Sequence, residues 1–238
     1  QRGVQKIAIT GEMRFEQDIP DALIAASQVF EPSMPPKRPV ITLASIVHDE
    51  EDHFVEILKT TLSSFADDAP ERPIFIFVPR APERFDVVAN KLKSAGIAFV
   101  RRSETLDATL NGEWSAGCDV MLGDSLGEMY FYLNLCQMAV VGGGFGDLGS
   151  HNISEPLSLG KPTIIGQGDF FIEFLSHEAI AQGVVKKMTY NELQEFFMAR
   201  RYGFSTPNDI QAYCNGLSGA TSRSLAALNT FVGTTYVE

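Results

Sequence analysis

Four glycines in five residues, Gly142-Gly143-Gly144-Phe145-Gly146, follow directly on the apolar run that ends at Val140-Val141. His151-Asn152 then opens an expected helix that carries Glu155. A strand that empties into a glycine loop and a helix N-terminus can hold an anion. Glycines let the backbone come close, and the first amides of the helix point at the bound group. On this reading Asn152 and the N–H groups around Ser150–Asn152 meet a phosphate. Glu155, one turn in, accepts hydrogen bonds from sugar hydroxyls. Phosphate donors beside a hydroxyl acceptor suit a nucleotide or a nucleotide-sugar. A plainer reading stands beside it. Asn152-x-x-Glu155 and Ser125-x-x-Glu128 both have the form of a capping box, and either pair could exist only to finish a helix.

The elements that must position these residues alternate. Apolar runs at Val40–Ser45, Ile74–Val78, Ile97–Val100, Val120–Leu122, Met138–Val141, Thr163–Ile165 and Val184–Val185 read as strands, with a further short candidate at Lys6–Thr10. Helical patterns fall at Asp21–Phe30, Asp49–Phe65, Pro82–Ala95, Phe170–Ala181, after Thr189 and Thr206, and at Ser218–Val232. Alternation of this kind predicts an α/β fold, a doubly wound, mainly parallel Rossmann-like sheet. Ligands in such sheets bind beyond the carboxyl ends of the strands, where the loops after Val78, Leu122 and Val141 lie. Arg80 stands on the first of these loops, after Pro79. Its planar cation suits a phosphate, or it forms a surface ion pair with Glu83. Ser125, Leu126 and Gly127 stand on the second and are expected to face a base or ribose.

The chain has 238 residues, 45% of them hydrophobic, and a net charge of −11. That size suits one large domain. The acidity argues against nucleic acid as a partner, which would need a basic footprint. Cys118, Cys136 and Cys214 have no metal-ligand spacing, so buried thiols in a reducing, cytoplasmic compartment are expected. No apolar run reaches membrane-spanning length, and no signal peptide is evident at the start. A chain that begins with Gln1 is expected to be a piece of a longer protein. The acidic run Asp49–Asp52 reads as a solvated helix start, and no metal site is expected. Phe170, Phe171 and Phe174 read as core, His53 and His177 as exposed helical positions, and Trp114, in a polar loop, gives no signal.

Several loops together resemble one family. Phe77-Val78-Pro79-Arg80-Ala81-Pro82-Glu83-Arg84-Phe85 is similar to its VPRHPERF signature. Gly123-Asp124-Ser125-Leu126-Gly127-Glu128-Met129 is similar to GDTMGEL, and Gly142-Gly143-Gly144 with Gly149-Ser150-His151-Asn152-x-x-Glu155-Pro156 resembles GGS…GGHNxLEP. Thr10-Gly11-Glu12-Met13-Arg14-Phe15-Glu16 looks like TGNLKFD. In this order, from Thr10 to Gly166, the motifs resemble the C-terminal half of 3-deoxy-D-manno-octulosonic acid (Kdo) transferase, an inverting glycosyltransferase of the GT-B fold. There are departures. Ala81 replaces the histidine of PRHPER, Ser150 a glycine of GGHN, and Gln167-Gly168-Asp169-Phe170-Phe171 a PHTFNF-like segment. Ser45–Glu51 matches STHEGEE only loosely.

The resemblance implies a donor domain over 37–238, with 1–36 a strand and helix leading in from a second domain. It implies CMP-Kdo as donor and a lipid A precursor as acceptor, met through that other domain, which would also supply the catalytic base. Pro79, Arg80, Ser125, Leu126, Gly127, Gly143, Gly144, Ser150, His151, Asn152 and Glu155 would bind the donor. His48 would touch the transferred sugar or merely pack. No metal or other cofactor is implied, and the full-length protein is expected at the cytoplasmic face of the inner membrane. This chain alone is expected to be inactive. The alternative is a non-catalytic nucleotide- or partner-binding module derived from a glycosyltransferase, motivated by Ala81 and Ser150. A Rossmann dehydrogenase would need an early GxGxxG, which the chain lacks.

Overall fold

Residues 7–232 are described by a computed structural model. β2 (Ile74–Pro79) is buried at every position, and β1 (Val40–Ile46) at every position but Ser45. Such runs cannot face water on either side, so helices must cover both faces. They do. A seven-stranded, wholly parallel sheet runs in the order β3-β4-β2-β1-β5-β6-β7. The others are β3 (Phe99–Arg101), β4 (Val120–Leu122), β5 (Met138–Val141), β6 (Thr163–Ile165) and β7 (Val185–Lys187). The strand candidate over Lys6–Thr10 begins outside the described residues, and residues 7–10 pair with no strand.

Side chains of β1 alternate between the two layers. Ile41 and Leu43 pack into one core with α2 (Glu51–Ser63), α3 (Phe85–Ser94) and α8 (Tyr190–Met198). Val40 and Ala44 pack into the other with α1 (Asp21–Phe30), α5 (Met129–Leu135), α6 (Ser154–Ser158), α7 (Glu173–Ala181) and α9 (Pro207–Leu217). α4 (Arg102–Thr105) is a single turn before β4, and α10 (Ala220–Val232) ends the described chain. Phe30 and Met34 lie in the second core, so α1 and the turn after it are built into this sheet's packing. Trp114, which gives no signal in the sequence, belongs there too, with its ring 6.5 Å from that of Phe30.

The chain leaves β1 for α2 on one face and β5 for α6 on the other. β1 and β5 are neighbours, so a crevice opens between their carboxyl ends, the topological switch point of the sheet. Ser45 marks this edge. Its backbone is left-handed, φ 56°, where the register between β1 and β2 slips. A non-glycine residue held there costs about 1–3 kcal/mol and persists only where its surroundings fix it.

Two expectations fail in this frame. Asp49–Asp52 is not a solvated start: Glu50 and Glu51 are fully buried. Glu51 receives Arg84 Nε at 2.8 Å and Arg84 Nη2 at 2.7 Å, and Lys91 lies 3.2 Å away. Charges this deep require such partners. Phe170, Phe171 and Phe174 are not core but more than half exposed; Phe170 and Phe171 precede the helix, which begins only at Glu173. Glu192 does complete a capping box with Thr189, and so does Asp209 with Thr206.

Candidate functional site

A cleft of ≈ 290 Å³ lies at the switch point. β2 contributes Val78, Pro79 and, just beyond its end, Arg80. The loop after β4 contributes Ser125, Leu126 and Gly127, and the loop after β5 contributes His151, Asn152 and Glu155. Eight of the residues singled out in the sequence therefore meet in one place. A larger hollow of ≈ 690 Å³ lies at the opposite, amino end of the sheet among Pro35, Pro36, Arg38 and Tyr202, and contains none of them.

Arg80 is exposed, and its backbone N–H donates to Ile46 O at 2.8 Å. Its guanidinium makes no ion pair among the described residues; the pairing with Glu83 is not formed. Its charge instead acts on the cleft. Burial raises the pKa of Glu155, against which the Asn152 hydrogen bond and the Arg80 charge pull down. Burial lowers that of His151, and Arg80 adds to the effect. The His151 Nε2 atom is buried with no hydrogen-bond partner among the described residues.

The second loop is built around Glu128. Arg102 Nε donates to it at 2.7 Å, and Ser125 Oγ donates to it as well. Ser125 Oγ also lies 2.6 Å from the Tyr132 hydroxyl, whose pKa is pushed up by burial. Ser125 is thus not an N-cap. α5 starts only at Met129, and the capping-box reading of Ser125 and Glu128 is replaced by a side-chain cluster. Gly127 turns this loop at φ 78°. Leu126, 71% exposed, stands at the mouth as an apolar lip.

The third loop departs most from expectation. α6 has only five residues and starts at Ser154, so His151-Asn152 does not open it. No Asn152–Glu155 capping box forms. Asn152 Oδ1 accepts from Ser154 N at 3.0 Å and Ser154 Oγ at 2.7 Å, an Asx-type turn. The amides of Asn152 and Ile153 have no partner among the described residues.

Gly143, Gly144 and Ser150 do not line the cleft. The Gly143 amide donates to Glu50 Oε2 at 2.8 Å, and the Phe145 amide to Glu50 Oε1 at 2.9 Å. The glycine loop thus turns its amides onto a buried side chain of its own chain. Gly144 and Gly166 are both required by close backbone packing: a Cβ at Gly144 would lie 2.6 Å from Gly168 O, and one at Gly166 would lie 2.1 Å from Gly144 C and O. Gly166→Ala is expected to cost about 3 kcal/mol, the upper end of overpacking, read as a lowered urea midpoint. Ser150 is buried; its N–H donates to Gly168 O at 2.9 Å. His48 is exposed on the loop after β1, outside the cleft lining, so its packing alternative is not realised.

Sequence reasoning missed Ser45, Glu50 and Tyr132. Tyr132, four residues after Glu128, could have been found by helical spacing. Nothing in the sequence marks the bulge at Ser45.

A parallel Rossmann-like sheet with a polar cleft at its switch point defines one half of a GT-B glycosyltransferase. The structure matches, with a TM-score of 0.65 and 27% identity, the C-terminal CMP-Kdo binding domain of WaaA from Acinetobacter baumannii, over 87% of this chain and 98% of that one. In sequence the chain is 34% identical over 98% of its length to the 3-deoxy-D-manno-octulosonic acid transferase of Bordetella pertussis. It is 30% identical over 76% to that of Haemophilus influenzae. The chain is homologous to the Kdo transferases and corresponds to their C-terminal half. It spans 54% of the Bordetella protein and 40% of the Haemophilus one. No family model matches the chain. Among the described residues no helix is long and apolar enough to cross a membrane.

Proposed function

We propose that this chain is the donor half of an inverting Kdo transferase and that its cleft holds the CMP moiety of CMP-Kdo. One observation carries the reading. An exposed guanidinium, Arg80, with no ion pair among the described residues, and a half-buried carboxyl, Glu155, far apart in sequence, line one cleft. Arg80 and the amides of Asn152 and Ile153 meet the phosphate. Glu155 accepts from the ribose hydroxyls. Pro79, Ser125, Leu126 and Gly127 face the base and ribose, and His151 closes the phosphate side. His48, exposed on the loop after β1, is assigned to the transferred sugar on this reading. Gly143, Gly144 and Ser150 serve by shaping the loop.

Catalysis then divides between two halves. A carboxylate of the other half deprotonates the acceptor hydroxyl. This half stabilises the charge that grows on the departing CMP phosphate, through fixed donors that need no reorganisation. That role is filled by Arg80 and amides, so the reading assigns no metal to the step. A lipid A precursor is the acceptor, which places the full-length protein at the cytoplasmic face of the inner membrane. Neither Ala81 nor Ser150, the departures that motivate a non-catalytic module, lines the cleft.

The test is a calorimetric titration of this chain with CMP, UMP, UDP and NAD. CMP is expected to bind best. Binding of NAD without CMP rejects the reading. Incubated with CMP-Kdo and a lipid A precursor, the chain is expected to transfer no sugar. Kdo transfer by this chain alone would overturn the assignment of the base to the other half.

A further inference from the structure

Glu50 precedes α2, is fully buried, and lies outside the cleft. Its Oε2 accepts from Gly143 N at 2.8 Å and Val47 N at 3.3 Å. Its Oε1 accepts from Phe145 N at 2.9 Å and Gly146 N at 3.3 Å. An ionised carboxylate offers about four acceptor sites and no donor, and here four amides fill them. Successive amides turned to one point form an anion-binding concavity. In this protein that concavity is occupied by the chain's own carboxylate. A Cβ at Gly142 would lie 2.7 Å from Glu50 Oε2, which leaves glycine alone able to pass there.

The loop held on this side by Glu50 is held from a second direction by rings. Phe145 stacks on Tyr190 with centroids 5.3 Å apart and meets Phe54 edge-on at 5.2 Å. Its other side bears on the cleft. Gly142 O accepts from His151 N at 3.0 Å, and a Cβ at Gly143 would come within 3.0 Å of His151 Cδ2. His151 lines the cleft with Nε2 buried and unpartnered. Contacts therefore run without a break from Glu50 through Gly142-Gly143 to the imidazole that faces the ligand.

We propose that Glu50 is a positioning residue for the nucleotide phosphate: by holding the amides of Gly143, Phe145 and Gly146 it fixes the loop that sets His151 and the neighbouring amides against the anion. The inference rests on the nucleotide reading of the cleft. Exchange of the carboxylate for an amide is its sharpest probe. Glutamine keeps the size and one acceptor oxygen but points an NH2 group at amide donors, and the loop must move to relieve them.

Glu50→Gln is compared with Glu51→Gln in this chain. Glu51 is equally buried, but its partners Arg84 and Lys91 lie away from the cleft. Both variants are expected to melt lower. Only Glu50→Gln is expected to lower the affinity for CMP relative to cytidine, by about tenfold, while Glu51→Gln holds that ratio within about twofold. The His151 imidazole NMR signal, assigned by its loss in His151→Gln, is expected to move in Glu50→Gln and to stay in Glu51→Gln. An unchanged affinity ratio in a CMP-binding protein, an unmoved imidazole signal, or equal effects from both variants overturns the inference. If the unmodified chain binds no CMP, the nucleotide reading fails and the phosphate role of Glu50 falls with it. The imidazole signal then reports whether Glu50 still sets the loop. Should Glu50→Gln fail to fold, Glu50→Asp carries both readouts, because it keeps the anion but draws it back from the amides.

Discussion

Arg80→Ala is expected to weaken CMP by about one to two decades and to leave cytidine almost untouched. Hydrogen bonds to a charged group are worth about 1.5–3 kcal/mol, and each 1.4 kcal/mol is a decade in affinity. The loss must be confined to CMP because only CMP carries the phosphate. Stability is expected to change by about 0.5 kcal/mol or less, as for surface positions without partners. The side chain is exposed and unpaired among the described residues, and the backbone stays tied through Arg80 N to Ile46 O. Arg80→Lys keeps the charge but loses the planar fork, so an intermediate affinity is expected. Calorimetry with CMP and cytidine on the three proteins decides the matter. Equal losses for both ligands would remove Arg80 from the phosphate.

The sheet was legible because burial on both faces leaves a plain mark. Ile74–Val78 is apolar at every position, and a parallel strand between two helical layers demands that. What sequence could not fix was the neighbour order. β3 stands at the edge and β4 is inserted between it and β2, and no local property of either segment dictates this. The cleft was legible to a comparable degree. Arg80, the Ser125–Gly127 turn and the His151–Glu155 segment follow three different strands, and the rule that ligands lie beyond the carboxyl ends is enough to bring them together.

The glycine loop shows where such reading stops. Gly142–Gly146 has the composition of a phosphate cradle, yet its amides meet Glu50, and Gly144 meets Gly166. Glycines are needed either way, since close backbone approach is the same requirement whether the visitor is a ligand or a carboxylate from the next element. Only three-dimensional neighbours distinguish the two. The acidic run misled for a related reason. Four consecutive carboxylates suggest water, and Asp49 and Asp52 are exposed, but the middle pair, Glu50 and Glu51, turns inward to partners remote in sequence. The phenylalanines misled in the opposite direction. Phe170, Phe171 and Phe174 are exposed, and the chain before them, at Gly168, is held by hydrogen bonds with Gly144 and Ser150 rather than in helix.

Glu155→Gln is expected to lower the affinity for CMP and for cytidine alike, by about one to two decades, because both ligands carry the ribose hydroxyls. This distinguishes it from Arg80→Ala. The size and the shape of the side chain are kept, so the cleft walls stay in place. Stability at neutral pH is expected to hold or to rise slightly, and the sign follows from the raised pKa of Glu155, for which burial is the first cause. Between the unfolded pKa and the higher folded one, the native state binds more protons than the unfolded state. The group's contribution to stability is therefore present at low pH and lost as pH rises through the folded value. Glutamine, neutral throughout, removes that loss. Ligand binding has the opposite dependence. The ionised carboxylate is the better acceptor, so cytidine affinity in the unmodified chain should fall with decreasing pH, starting above the range of an ordinary glutamate near 4.3. In Glu155→Gln that part of the profile should be flat, and the difference between the two proteins isolates the side chain from any titration of the ligand. Parallel pH profiles, or a lower melting temperature with unchanged affinity, would return Glu155 to a purely structural role.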